Sequence, residues 1–200
     1  TAYEIGVRLV GSEMCIRDSF VIAITGASGV CYGKRLFDCL KAQSEVHVII
    51  SERGAELLKI ELGLKTSYFS GEHVVLHKTS KINTSIASGS FRLDGMAIVP
   101  ASMGTIGRIA AGVSGNLIER VADVMLKEKR KLIVVPREAP FSTIHLKNLL
   151  SLDQAGALIL PASPGFYQGQ NSVESLVDFV VARIMDQLGV DQDLMPPYDA

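Results

Sequence analysis

Five short apolar runs constrain this chain more than anything else in it: FVIAIT (20–25), EVHVIIS (45–51), GMAIVP (95–100), KLIVVP (131–136) and GALILP (156–161). They are nearly continuous in Val, Ile, Leu and Ala, so each needs cover on both faces. Helical sequence follows each run, the first to about Gln43 and the second to about Leu62. Buried strands alternating with helices mean a parallel sheet between two helical layers. The expected fold is α/β, a three-layer doubly wound parallel sheet, and 200 residues suit a single domain of this kind. The segment 64–94 is the least regular. Rich in Ser, Thr and Gly and strand-like only at HVVLHK (73–78), it reads as a loop region or a sheet edge.

Composition closes off other classes. A hydrophobic content of 48% against 20% charged residues belongs to a globular chain. A formal net charge of −1 gives no electrostatic footprint for nucleic acid or an anionic membrane. No apolar run approaches the length of a membrane span. Three cysteines, Cys15, Cys31 and Cys39, suit neither a disulfide framework nor a zinc site, which points to a reducing cytoplasm. Cys31 and Cys39 read as core residues of the first helix. His73 and His77 lack a third ligand nearby, so no metal is expected. Residues 1–19 stand apart: RLVGSEMCIRDS (8–19) has no helix or strand period and looks like the in-frame translation of a sequencing-library adapter. The expectation is a non-native tail with the domain at 20–200 and the native start lost.

The strand ends carry the chemistry. TGASG, SERG, PASMGT, PREAP and PASPGFY follow the five runs, and in an open parallel sheet the ligand crevice lies outside those carboxyl ends. TGASGVCYG (25–33) is a glycine-rich turn into a helix, fit for a flavin or dinucleotide phosphate. A nicotinamide enzyme fits less well: the second strand ends in Ser51 where an acid is expected, although Glu52 is adjacent. ASMGT (101–105) opens another helix, and Ser102 reads most simply as its N-cap. In NLIERVADVMLKEKRK, Arg120, Asp123 and Lys127 share a helix face, and an intrahelical ion pair explains them without a ligand. Lys129, Arg130 and Lys131 read as solvated. Arg137 and Glu138, between Pro136 and Pro140, face the crevice, Tyr167 sits on a constrained loop, Arg183 fits the polar boundary of the last helix, and His145 reads as packed or capping.

Taken together, TGASGVCYG, PASMGT, NLIERVADVMLKEKR, VVPREAPFSTIHL, GALILPASPGFY and VVARIMDQLG resemble the UbiX-type flavin prenyltransferase family over residues 20–188. The resemblance implies a flavodoxin-like fold and a metal-independent transferase. Its reaction moves a dimethylallyl group from dimethylallyl monophosphate to N5, then C6, of reduced FMN, making prenylated FMN for UbiD-type decarboxylases in ubiquinone synthesis or aromatic-acid metabolism. By the same resemblance Gly26, Ala27, Ser28, Ser51, Ser102, Met103, Gly104, Thr105 and Arg137 bind FMN. Arg120, Lys127, Tyr167 and Arg183 bind the allylic phosphate, with Glu138 completing that pocket. Ser28 and Glu61 act near N5 and in ring closure, so the catalytic set is Ser28, Glu61, Lys127 and Glu138. Glu61 by its own sequence looks like a helix-surface acid.

The family also implies a homo-oligomer, a dodecamer with shared sites in which Lys127 and Tyr167 act across an interface. This chain departs from the family pattern in places. Ala101 stands where many members have cysteine, QGQN (168–171) replaces a His-x-Pro turn, and Ile82 and Tyr198 stand where members carry tryptophan. The alternatives are an FMN-dependent cysteine decarboxylase, whose Pro-Ala-Met-Asn signature is absent, and a non-catalytic flavin-binding subunit.

Overall fold

The computed structural model describes residues 17–167, 169 and 171–196. Six strands form one sheet: β1 (Ser19–Ile24), β2 (Glu45–Ile50), β3 (Val74–His77), β4 (Gly95–Ala101), β5 (Lys131–Pro136) and β6 (Leu158–Ile159). Their order is β3-β2-β1-β4-β5-β6, with every neighbouring pair parallel. Without the four-residue edge strand β3 the order is that of flavodoxin-like sheets. The six helices are α1 (Val30–Leu40), α2 (Glu52–Leu62), α3 (Met103–Ala110), α4 (Leu117–Lys127), α5 (Thr143–Gln154) and α6 (Val173–Leu188).

Residue alternation along each strand divides the apolar side chains between two cores. Phe20, Ile22, Ile24, Val99 and Val135 turn to the face covered by α1 and α6. Val21, Ala23, Met96, Ile98 and Val134 turn to the face covered by α3 and α4. Every residue of β1 and β4 is buried, which is why these central strands read as unbroken apolar runs. Arg35 ties α1 to α6 by a two-pronged bond to Asp178, Nε to Oδ1 at 2.6 Å and Nη2 to Oδ2 at 3.2 Å.

The structure sharpens some of these expectations and changes others. Residues 18 and 19, the last of the segment set apart above, join the sheet: the Asp18 carbonyl accepts from Glu45 N, and Ser19 N donates to Asp94 Oδ2 at 2.8 Å. HVVLHK is the edge strand β3, in keeping with the sheet-edge reading, and its Val75 and Leu76 are exposed because none of the described residues covers them. GALILP shrinks to Leu158–Ile159, since Gly156 turns at φ +102° and Pro161 has no N–H to extend the ladder. Cys31 and Cys39 are half-buried at the margin of α1 rather than inside the core, and burial pushes both thiols up. Arg130 and Lys131 are not simply solvated either. Arg130 donates to the Phe91 and Gly89 carbonyls, and Lys131 to that of Leu188.

Candidate active site

The strand order reverses between β1 and β4, and a crevice opens where the two carboxyl ends diverge. Thr25, fully buried at the end of β1, bridges it. Its hydroxyl donates to the Pro100 carbonyl at 2.8 Å and accepts from Ser102 N at 2.7 Å. Two serines then start helices at the rim. Ser51 caps α2 through Gly54 N at 3.0 Å, and Ser102 caps α3 through Thr105 N at 3.4 Å. The simple N-cap role of Ser102 therefore holds, and both serines also line a cavity of about 510 Å³ with Gly26, Thr79, Thr105 and Arg108.

The chemistry of this cavity fits a flavin's terminal phosphate. Two helix N-termini face it with unpaired amides and the positive ends of their dipoles. Hydroxyls of Ser51 and Thr105 add donors, while that of Thr79 is held by the Ile50 carbonyl at 2.7 Å. Gly26 has no room for a side chain, because a Cβ would fall 2.6 Å from Arg53 Cβ. The bare peptide is thus the wall of the cradle. Ala27 is buried beneath the turn and Met103 packs into the core, so Met103 and Gly104 can offer a ligand backbone amides. No group of three or more His, Cys, Asp or Glu able to hold a metal exists among the described residues. No helix among them is long and apolar enough to cross a membrane.

Arg137 and Glu61 meet on either side of the glycine turn. Arg137 Nε donates to the Ser28 carbonyl at 3.0 Å. Glu61, near the end of α2, accepts from Gly29 N at 2.9 Å and Val30 N at 3.2 Å. Gly29 adopts φ +95° and has no side chain to cap α1, so the carboxylate of the next helix does so. Glu61 is therefore no ordinary surface acid. Glu138 is exposed next to Arg137, with one carboxylate oxygen accepting from Ala139 N at 3.1 Å.

The remaining predicted residues are not gathered here. Arg120 pairs with Asp123 at 2.8 Å and donates to the Ala87 carbonyl, so the ion-pair reading holds within the chain. Lys127 ends α4 and pairs with Glu128, just before Lys131 begins β5. That puts it at the amino edge of the sheet, opposite Arg137. Arg183 pairs with Asp186 at 3.1 Å and lines a separate cleft with Leu158, Leu160 and Phe179. Tyr167 stands edge-on to the Phe179 ring at 5.8 Å. Ile82 is partly exposed in the irregular segment, and His145 completes a capping box with Ser142. Residues 1–16, with Cys15, and Gln168, Gln170 and Tyr198 lie outside the described residues.

Sequence reading missed Thr25, Thr79 and Arg108 as parts of the site. Only Arg108 had a local signal, one turn beyond the hydroxyl loop in SMGTIGRIA.

A family model, Flavoprotein, matches residues 12–185. The flavin prenyltransferase UbiX of Halalkalibacterium halodurans is 46% identical over 186 residues, covering 88% of this chain and 90% of that protein. The crystal structure of AnUbiX (PadA1) in complex with FMN and dimethylallyl pyrophosphate superposes with a TM-score of 0.88 at 37% identity, covering 92% of this chain and 98% of that one. A dodecameric FMN-dependent UbiX-like decarboxylase from Escherichia coli O157:H7 gives the same TM-score at 36% identity, covering 91% and 100%. A doubly wound sheet with a phosphate cradle at its switch point, and relatives this close over nearly the full length, give one conclusion: the chain belongs to the UbiX flavin prenyltransferase family.

Proposed function

We propose that this flavin prenyltransferase carries a dimethylallyl group from dimethylallyl monophosphate to N5 of reduced FMN, and that a second bond at C6 closes a further ring. When bound, the reduced flavin supplies the nucleophilic nitrogen and ring carbon. What supports the reading is the glycine turn, where Arg137 holds the Ser28 carbonyl and Glu61 holds the Gly29 amide beside the phosphate cradle. In this reading Gly26, Ala27, Ser51 and the 102–105 loop bind the flavin. Arg137 borders both the flavin and the departing phosphate. Its guanidinium is permanently charged and presents planar paired donors, which suits an oxyanion better than a lysine would. As the allylic C–O bond breaks, its electron pair leaves on the phosphate, and fixed cations stabilise that charge without a metal.

Arg120, Lys127, Tyr167 and Arg183 serve the same leaving phosphate, while Glu138 carries a proton at its free carboxylate oxygen and Ser28 and Glu61 handle protons near N5. Lys127 and Arg137 lie at opposite edges of one sheet, so one phosphate meets both only if different copies supply them. The proposed assembly is a dodecamer with shared sites, and its product is passed to a UbiD-type decarboxylase. The test is to co-assemble Lys127→Ala and Arg137→Ala chains, each inactive alone. Prenylated flavin from the mixed oligomer is expected, since some sites receive both native residues. Inactivity of a correctly sized mixed oligomer would contradict the shared site.

A further inference from the structure

Glu119 is the one charged residue among the described residues that is buried outright, with a side-chain exposure of 0%, and it lies outside every role described above. An acid in such a place must be matched by donors or it unfolds the region. Three groups match it: Arg108 Nε, Gly115 N at 2.8 Å and Asn116 Nδ2 at 2.8 Å. The carboxylate thus fixes the 112–116 turn and, through Nε, one edge of the Arg108 guanidinium.

The other edge faces the cradle. Arg108 is the sixth of the eight residues of α3, and helical side chains lean toward the helix N-terminus. Its Nη1 lies 3.5 Å from where a Cβ on Gly104 would stand, and its Nη2 makes only a long 3.5 Å contact with Thr105 Oγ1. A cation brought to the N-terminal end of a helix sits at the unfavourable end of the dipole. An anion between guanidinium and helix amides reverses the sign of that interaction. The other charged groups on the cavity do not compete. Arg53 is 79% exposed and pairs with Glu56 at 2.7 Å, and Glu52 opens α2 as a first-turn acid.

From this geometry we infer that Arg108 recognises the terminal phosphate of the flavin and selects FMN over riboflavin, with Glu119 as its positioning residue. The inference rests on the flavin reading above. Because Glu119 neutralises the guanidinium, recognition works through the two directed Nη edges more than through net charge.

The test measures FMN and riboflavin affinities of the full chain by quenching of flavin fluorescence, alongside thermal melting without ligand. Arg108→Ala is expected to weaken FMN by about 10- to 100-fold, as for a lost charge-assisted hydrogen bond, while riboflavin changes less than about threefold. Glu119→Gln should move FMN in the same direction by a smaller factor. Since Arg108→Ala leaves the buried Glu119 carboxylate without its charged partner, the double variant Arg108→Met with Glu119→Gln serves as the folding control. The neutral glutamine needs no cation and keeps a side-chain oxygen for Gly115 N, so this variant should melt near the wild type yet lose its preference for FMN. Equal loss of both flavins, or an unchanged FMN affinity in the double variant, overturns the role of Arg108. A wild-type oligomer that binds neither flavin overturns the flavin reading itself, and this inference with it.

Discussion

At Glu61 a carboxylate from one helix closes the amide end of another, and this contact separates structural from chemical roles. The carboxylate accepts from Gly29 and Val30, which would otherwise leave α1 uncapped at its dipole's positive end. Glu61→Ala should therefore cost about 1 kcal/mol of stability and also abolish turnover. Glu61→Gln keeps an amide oxygen for Gly29 N, so its stability should stay within about 0.5 kcal/mol of wild type while turnover is still lost. A Gln variant with full turnover would leave Glu61 as a cap and nothing more. His47 and His77 give a second residue-scale expectation. His47 Nδ1 and His77 Nε2 lie 2.9 Å apart, beside the Phe91 ring. Burial, aided by His47 and Lys81, pushes His77 down to about 4, and burial lowers His47 as well. Glu45 Oε1 lies 3.4 Å from His47 Nε2 without completing a hydrogen bond. Both rings are neutral in the fold, whereas the unfolded chain takes up protons near pH 6.5. Between about pH 6.5 and 4 the unfolded state binds more protons, so stability is lost as pH falls through that window. With partial exposure of His77 screening the effect, the loss should be about 1–2 kcal/mol. Urea midpoints at pH 7 and 4.5 should differ in the wild type and differ less in His77→Gln, which retains only His47. Equal pH dependence in both would contradict the pairing.

Among the elements, α1 bears most directly on the site, because it carries the glycine turn and lies flat on β1 and β4. A Cβ at Gly33 would fall 2.4 Å from the Val99 carbonyl and 3.0 Å from Ile24. Gly33→Ala must lift the helix off the sheet, at a cost of about 1–3 kcal/mol, and should weaken FMN binding with it. Calorimetry and flavin titration should move together, and an unchanged melting temperature would rule out the close approach. The same scale explains what could be read in advance. β1, β2, β4 and β5 were legible because interior parallel strands need apolar residues on both faces. β3 was ambiguous and β6 overextended because edge strands keep one side open, and their sequences are not forced to declare themselves. In the site, the glycine turn and the hydroxyl loops declare themselves within five residues. Glu61 meets Gly29 from 32 positions away and Glu119 meets Arg108 from 11, pairings that only the fold creates. Cys31 and Cys39 show the converse: apolar spacing on a helix does not say how deep its margin lies.

As a whole molecule, the chain leaves two things unfinished, and both point to further copies. The proposed phosphate-binding set is split, with Lys127 and Arg137 at opposite edges of the sheet. Around α5, Phe141, Ile144, Leu146 and Leu150 face solvent, with Ile144 at 70% exposure, a surface that a second copy would cover. The reaction to test is the joining of a five-carbon unit to a flavin by the assembled protein. The direct measurement is anaerobic incubation of the purified oligomer with reduced FMN and dimethylallyl monophosphate, followed by mass analysis of the released flavin. The expected product is a flavin heavier by one C5H8 unit, absent when Glu138→Gln protein is used. Unmodified flavin released from a correctly assembled, flavin-loaded oligomer would contradict it.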